Sequence, residues 1–501
     1  MKLLKLLFFL ILSIPASAQI QLGADIDGEA AGDRSGTQIS LSSDGTTVAI
    51  GAVWNDGNGS KSGHVRIYEY SAGSWTQLGS DIDGEAADDK SGYSVSLSSD
   101  GTTVAIGAYD NDGNGTDAGH VRIYEYSAGS WTQLGSDIDG EAAGDHSGIS
   151  ASLSSDGTRV AIGACFNDGN GSNSGHVRIY EYSAGSWTQL GSDIDGEAAD
   201  DESGTSASLS SDGTRVAIGA YGNDGNGSKS GHVRIYEYSA GSWTQLGSDI
   251  DGEAAGDESG LSVSLSSDGT RVAIGAYRND GNGSYAGHVR IYEYSAGSWT
   301  QLGADIDGEA AGDRSGSFVS LSSDGTTLAI GAYGNDGNGT DAGHVRIYEY
   351  SAGSWTQLGA DIDGEAVDDW SGSFVSLSSG GDTVAIGAIN NDGNGVRAGH
   401  VRVYSLAGNT AGVYSTNLEH NLKIYPIPTI SYLYIEVPQN MIGQSYSLEV
   451  KNSIGQSMFE VGLNQPLVQI NFNSVGAAGS YTLSIKDSGG NVVDTRVIIL
   501  Q

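Results

Sequence analysis

Apolar and polar residues alternate along most of this chain in short runs broken by turn residues. One stretch serves as an example. Residues 93–98 (YSVSLS) alternate and end at Ser99-Asp100-Gly101. Residues 103–108 (TVAIGA) follow, with Val104 and Ile106 on one face and small residues on the other. A long polar loop, 109–118, leads to 120–126 (HVRIYEY), which places Val121 and Ile123 on one face. A turn at 127–130 leads to 131–135 (WTQLG). Alternation at period two, punctuated by Asp-Gly and Ala-Gly turns, predicts antiparallel strands joined as hairpins. No stretch carries a convincing helical period, so the chain reads as all-β.

The same pattern returns every 56 residues. The string DIDGEA starts at Asp25, Asp81, Asp137, Asp193, Asp249, Asp305 and Asp361, without insertions. A fixed period of this length marks a repeat architecture, and four strands per repeat make one propeller blade. The seventh repeat stops after HVRVY at 400–404 and lacks the WTQLG strand, while Gln21-Leu22-Gly23 stands alone before the first DIDGEA. The N-terminal segment is therefore expected to complete the last blade, closing a seven-bladed β-propeller over 19–404 and removing a free sheet edge.

Composition refines this picture. The chain of 501 residues has 78 Gly, 5 Pro, one Cys and a net charge of −39. So acidic a surface repels phosphate backbones, so nucleic acid is not an expected partner; it suits either cations as partners or a solubilising role alone. The lone Cys165 allows no disulfide within the chain and reads as a drifted core or surface position. Residues 1–18 read as a signal peptide, with Lys2 and Lys5, an apolar stretch and Ala16-Ser17-Ala18. No later segment is apolar enough to span a bilayer, so export rather than membrane insertion is expected.

After the repeats, 405–421 reads as a linker. A second all-β domain, 422–501, has strand candidates at 432–437, 446–451, 467–472, 481–486 and 492–500, and a small β-sandwich is its natural form. Its motifs are Leu422-Lys423-Ile424-Tyr425-Pro426, Ser453-Ile454-Gly455-Gln456 and Gly479-Ser480-Tyr481-Thr482-Leu483. In these it resembles the C-terminal sorting domain of the type IX secretion system of Bacteroidetes, with Ile427 where that family usually has Asn. The resemblance implies engagement of that secretion machinery, export across the outer membrane, and release or anchoring at the cell surface. The 56-residue repeat, through Gly32-Asp33-Arg34-Ser35-Gly36 and Gly51-Ala52, loosely resembles the FG-GAP repeats of integrin α-chains. That family's calcium loop joins the first two strands of a blade. Here the link is the short Ser42-Ser43-Asp44-Gly45, so its metal residues do not carry over.

The acidic loop has two open readings. Asp25, Asp27 and Asp33, with Glu29, are spaced to wrap a hard cation such as Ca2+. The corresponding sets are Asp81, Asp83, Asp89; Asp137, Asp139, Asp145; Asp193, Asp195, Asp201; Asp249, Asp251, Asp257; Asp305, Asp307, Asp313; and Asp361, Asp363, Asp369. Alternatively these residues, with Asn55-Asp56-Gly57-Asn58-Gly59 in the facing loop, cap turns through their own backbone. His64 and its six counterparts, one per blade, are expected to be structural, because neighbouring blades hold them too far apart to share an ion. Trp75 and its counterparts are expected to pack between blades rather than to stack sugars.

Catalysis is not expected, because each polar group recurs sevenfold and no nucleophile–base set stands out. The copies differ in two places. One is the segment after DIDGEA: Arg34, Lys90, His146, Glu202, Glu258, Arg314 and Trp370, with Gln38, Phe318 and Phe374. The other is the loop after Gly-Ala, with Trp54, Asp110, Phe166, Arg278 and Asn390, then Lys61, Asp117, Tyr285 and Arg397. Both map to one propeller face. A varied aromatic and charged face opposite a uniform one suits an adhesion module for an extracellular protein or glycan. The alternative is a structural surface or matrix protein without a discrete ligand.

Overall fold

In the computed structural model the chain divides into two compact units, Met1–Gly408 and Asn409–Gln501. The structure describes residues 19–406, 423–425, 432–436, 446–452, 457–463, 465, 467–471, 479–486 and 492–500. The proposed signal peptide, nearly all of the linker, and the motif residues Pro426, Ile427 and 453–456 lie outside them.

The first unit holds seven like sheets. In the first blade they run Gln38–Leu41, Thr47–Ala52, His64–Ser71 and Ser74–Gln77, each antiparallel to the next. The second strand is buried throughout. Its large residues face one neighbouring blade and its small residues the other, so Ala49 lies in one cluster with Val95, Val104 and Ile106 of the second blade. Seven such clusters fill the seven blade boundaries. Large side chains thus seat against small ones at each boundary, and burial of apolar surface is the main force holding the blades together.

The ring closes as its ends suggested. Ile20–Gln21 pairs with His400–Ser405, Leu22 N donates to Val403 O at 2.7 Å, and Trp75 Nε1 donates to Leu22 O at 2.7 Å. At the inner rim the backbone N of Ser43 donates to Ser99 O. The pattern continues through Ser155, Ser211, Ser267, Ser323 and Ser379 back to Ser43. This cyclic set of bonds, each 2.8–3.0 Å, is possible only in a closed ring.

Two features were not visible in the residue pattern. Ile82–Asp83, inside DIDGEA, forms a short fifth strand on the third, pairing Val65 with Ile82 and His64 with Asp83. Two residues are too few to show a period. The second is the backbone contact behind Gly-Ala. A Cβ on Gly219 would stand 1.9 Å from Gly260 O of the next blade. Because the obstacle is backbone, Gly219→Ala is expected to cost about 1–3 kcal/mol, read as a lowered denaturant midpoint at unchanged slope.

The second unit contains a three-stranded sheet (Lys423–Tyr425, Tyr432–Glu436, Leu467–Asn471) and a four-stranded one (Ser457–Gly462, Ser447–Asn452, Gly479–Lys486, Val492–Leu500). Lys423–Tyr425 and Ser457–Gly462 add to the five strands expected from sequence. Among the described residues no helix is long and apolar enough to cross a membrane.

Candidate functional site

The two variable segments meet on one face because polar side chains bind their loops together. Asn55 Nδ2 donates to Asp33 Oδ2 at 3.1 Å, which also accepts Ala30 N at 3.0 Å. Asn58 Nδ2 donates to Gly84 O and Glu85 O of the next link, at 2.8 and 3.0 Å. Each loop is thereby tied to the links on both sides.

This geometry gives the third aspartate of each set a structural task. Asp33 is 4% exposed and is occupied as the acceptor for its own turn and for Asn55; Asp89, Asp145, Asp201, Asp257 and Asp369 accept in the same way, and Asp313 accepts from its own turn. The side chain of Asp27 is exposed, while its backbone pairs with His400. Only the first aspartate of each set turns toward other candidate ligands, and these are a histidine and a glutamate rather than its own loop-mates. Asp89→Ala strips acceptors from Ala86 N and the buried Asn111 amide. It is expected to cost about 1–3 kcal/mol, read in the same unfolding assay.

The variable side chains stand in a conformation that non-glycine residues avoid. Arg34, Lys90, His146, Glu202, Glu258, Arg314 and Trp370 all have φ of 53–57°. So do their partners across the loop, Lys61, Asp117, Asn173, Lys229, Tyr285, Asp341 and Arg397, at 48–55°. Left-handed backbone favours Gly, Asn or Asp and costs larger residues about 1–2 kcal/mol each.

These side chains form local contacts that differ from blade to blade. The Arg34 guanidinium lies 3.8 Å above the Trp54 ring, with Lys61 at 5.4 Å. Lys90 Nζ bonds both Asp110 and the Tyr109 hydroxyl. Burial works against its charge, but these bonds hold it above the ordinary lysine range. Asp110 Oδ1 lies 3.0 Å from His146 Nδ1, close but not aligned as a hydrogen bond, and His146 meets Phe166 edge-on at 5.1 Å. Arg278 bonds Glu258 at 2.5 Å and lies 5.8 Å from the ring of Tyr285, itself 49% exposed. Trp370 leans on Tyr333 at 5.5 Å, and Phe318 stacks on Phe374 at 3.9 Å. Arg397 is exposed. The candidate residues share one face, and their contacts run from blade to blade rather than into one pocket. Tyr109, Tyr221, Tyr277 and Tyr333 belong to this surface too, and Tyr93 packs its ring against Tyr109. Sequence reading passed over the first four because the position after Gly-Ala looked like scaffold.

Other repeated residues are structural. In Trp75 and its five counterparts Nε1 donates to a leucine carbonyl of the preceding blade at 2.7–2.8 Å. Cys165 is buried, which pushes its thiol up to about 12 and makes it unreactive. Clefts of about 260 and 230 Å³ lie on two blade boundaries, lined by Asp81, Asp83, Tyr124 and Trp131 and by their equivalents Asp249, Asp251, Tyr292 and Trp299.

Comparison with known proteins now adds family information. Residues 81–124 and 250–292 match the FG-GAP repeat, and 423–500 match the secretion system C-terminal sorting domain. No curated protein matches the chain. Solved structures similar to it include a periplasmic gluconolactonase of Pseudomonas aeruginosa (17% identity, TM-score 0.46, covering 66% of this chain and 85% of that one). A Bacteroides uniformis protein described as a 6-phosphogluconolactonase matches at 13% identity and TM-score 0.46, with the same coverages. The Dos1 propeller matches at 12% identity and TM-score 0.43, covering 78% and 96%. The expectation that the chain is no enzyme is corrected here, since lactonases stand among these neighbours. Its premise also fails on the varied face, where unlike groups such as Lys90, Asp110 and His146 do meet. The chain carries FG-GAP propeller repeats followed by a type IX secretion sorting domain, and it is a secreted, cell-surface protein.

Proposed function

We propose that the protein is a binding module that takes an extracellular protein or glycan on its varied propeller face. The carrying observation is the left-handed backbone at both variable positions of every blade. Neutral drift at such positions would collect Gly, Asn and Asp, which relieve the strain. They hold instead Arg, Lys, His, Glu, Trp and Tyr beside a few Asp and Asn. The left-handed position on the opposite face, Ala72 and its counterparts, is Ala in all six hairpins that contain it. The opposite face keeps one small residue at its left-handed position, whereas this face keeps mostly larger or charged side chains that change from blade to blade, and that contrast supports contact with something else. In this reading residues 1–18 direct export, the two C-terminal sheets form a small β-sandwich, and that unit engages the secretion machinery. Glycan and protein arrays probed with the purified protein test the proposal. Saturable binding to a defined class is expected, and silence across both arrays would overturn it in favour of a structural surface component.

A further inference from the structure

The histidine that recurs in each of the seven repeats is buried among charged side chains. His64 is 1% exposed, yet among the described residues neither ring nitrogen makes a hydrogen bond, and Nε2 is buried without a partner. Nδ1 faces two carboxylates, Glu29 Oε2 and Asp81 Oδ2, each at 3.9 Å. That is too long for a hydrogen bond.

Both carboxylates are aimed. Gln77 Nε2 donates to Asp81 Oδ1 at 2.5 Å, which leaves Oδ2 toward the imidazole. Arg66 Nη1 stands 3.7 Å from Glu29 Oε1, which leaves Oε2 toward it, and Arg66 is itself anchored by donating to Asp27 O at 2.7 Å. Such outer partners orient ligands at metal centres. The arrangement recurs: in all seven blades Nδ1 lies 3.8–4.0 Å from the glutamate. The glutamate comes from one DIDGEA segment and the aspartate from the next, so each trio bridges two blade boundaries.

The geometry points to a zinc-class divalent cation site in each blade, formed by the His Nδ1, the Glu of one DIDGEA segment and the first Asp of the next. The three ligand atoms lie within 4.8 Å of one another. An ion equidistant from atoms so spaced sits about 2.3–2.5 Å from each, a few tenths of an ångström from zinc-class bond lengths. A small inward shift of the half-exposed glutamate closes that gap. The imidazole selects this class over calcium, which takes oxygen ligands. Burial holds the ring neutral, the form that ligates. Three protein ligands leave a fourth position for water or for a group on a partner. The site shares its aspartate and its glutamate with the acidic loops, but it takes its third ligand from the histidine and not from the loop's other two aspartates.

The test is a titration of chelator-stripped purified protein with Co2+, followed by visible absorbance, and with Zn2+ in competition. Uptake approaching seven ions per chain is expected, falling by one in Glu85→Gln and by one in Asp137→Asn. Both side chains are partly exposed, so the variants keep the fold. Asp139→Asn, outside the trio, should leave uptake unchanged. Uptake below one ion per chain, or equal uptake in all three variants, would overturn the assignment.

Discussion

Acidifying the metal-free protein from pH 7.5 to 4 is expected to remove at least about 5 kcal/mol of stability, read as a steep fall in Tm. The cause is the buried histidine in every blade. Burial first, then the adjacent arginine, lowers each imidazole from 6.5, to about 4 for His120 and His400. An unfolded imidazole takes up its proton near 6.5, whereas folded His120 and His400 refuse it until about pH 4, and the other five are shifted in the same direction. The neutral ring's contribution is therefore complete above 6.5 and is lost as pH falls toward 4. A gap of about 2.5 units corresponds to roughly 3 kcal/mol for each of the two. Below 3.8 a second loss begins. Asp44, Asp100 and Asp156 are lowered because hydrogen bonds from Ser and Thr outweigh their burial, and those bonds go when they protonate. Asp27, Asp139 and Glu365 are raised mainly by burial and oppose the trend weakly. A Tm constant between pH 7.5 and 4 would contradict this, and His120→Gln should reduce the slope.

Deleting residues 19–23 is expected to be as damaging. It removes the strand that completes the last blade, the acceptor for Trp75 Nε1, and the Gln19 bonds to Leu358 O and Ala360 O. It also uncovers the edge of His400–Ser405 and removes the Leu22 side chain from its cluster. Lost bonds and burial sum to about 4–6 kcal/mol, and the exposed edge templates self-association. The truncated chain should melt at least 10 °C lower, or aggregate, whereas removing 423–501 should leave the propeller's melting unchanged. Equal melting of the truncated and intact chains would mean the ring does not depend on its N-terminal strand.

Much of the architecture was legible because it is written seven times. A strand such as Thr103–Ala108 was found to the residue, since Val104 and Ile106 alternate with small residues. Closure was legible from a shortage at one end matched by a surplus at the other. Ile82–Asp83 was not, because two residues carry no period. The histidine surroundings were missed for a different reason. Glu29, His64 and Asp81 come from three segments spread over more than fifty residues, and only the short fifth strand brings His64 opposite Asp83 and so beside Asp81. Spacing alone could not show that Asp33 is bonded to Asn55. The left-handed backbone under the variable residues was invisible too, since nothing in Arg34 or Trp370 announces a positive φ.

The binding role of the varied face is tested most directly by one protein carrying Gly at Lys61, Asp117, Asn173, Lys229, Tyr285, Asp341 and Arg397. These positions lie on the rim of that face, make few side-chain contacts, and have φ of 48–55°. Glycine there should keep or raise Tm, because relief of strain offsets the added freedom of the unfolded chain. Binding to whatever target the arrays identify is measured beside it. An unchanged or higher Tm with affinity at least tenfold weaker is the expected result; affinity within twofold of the parent at the same Tm would contradict it.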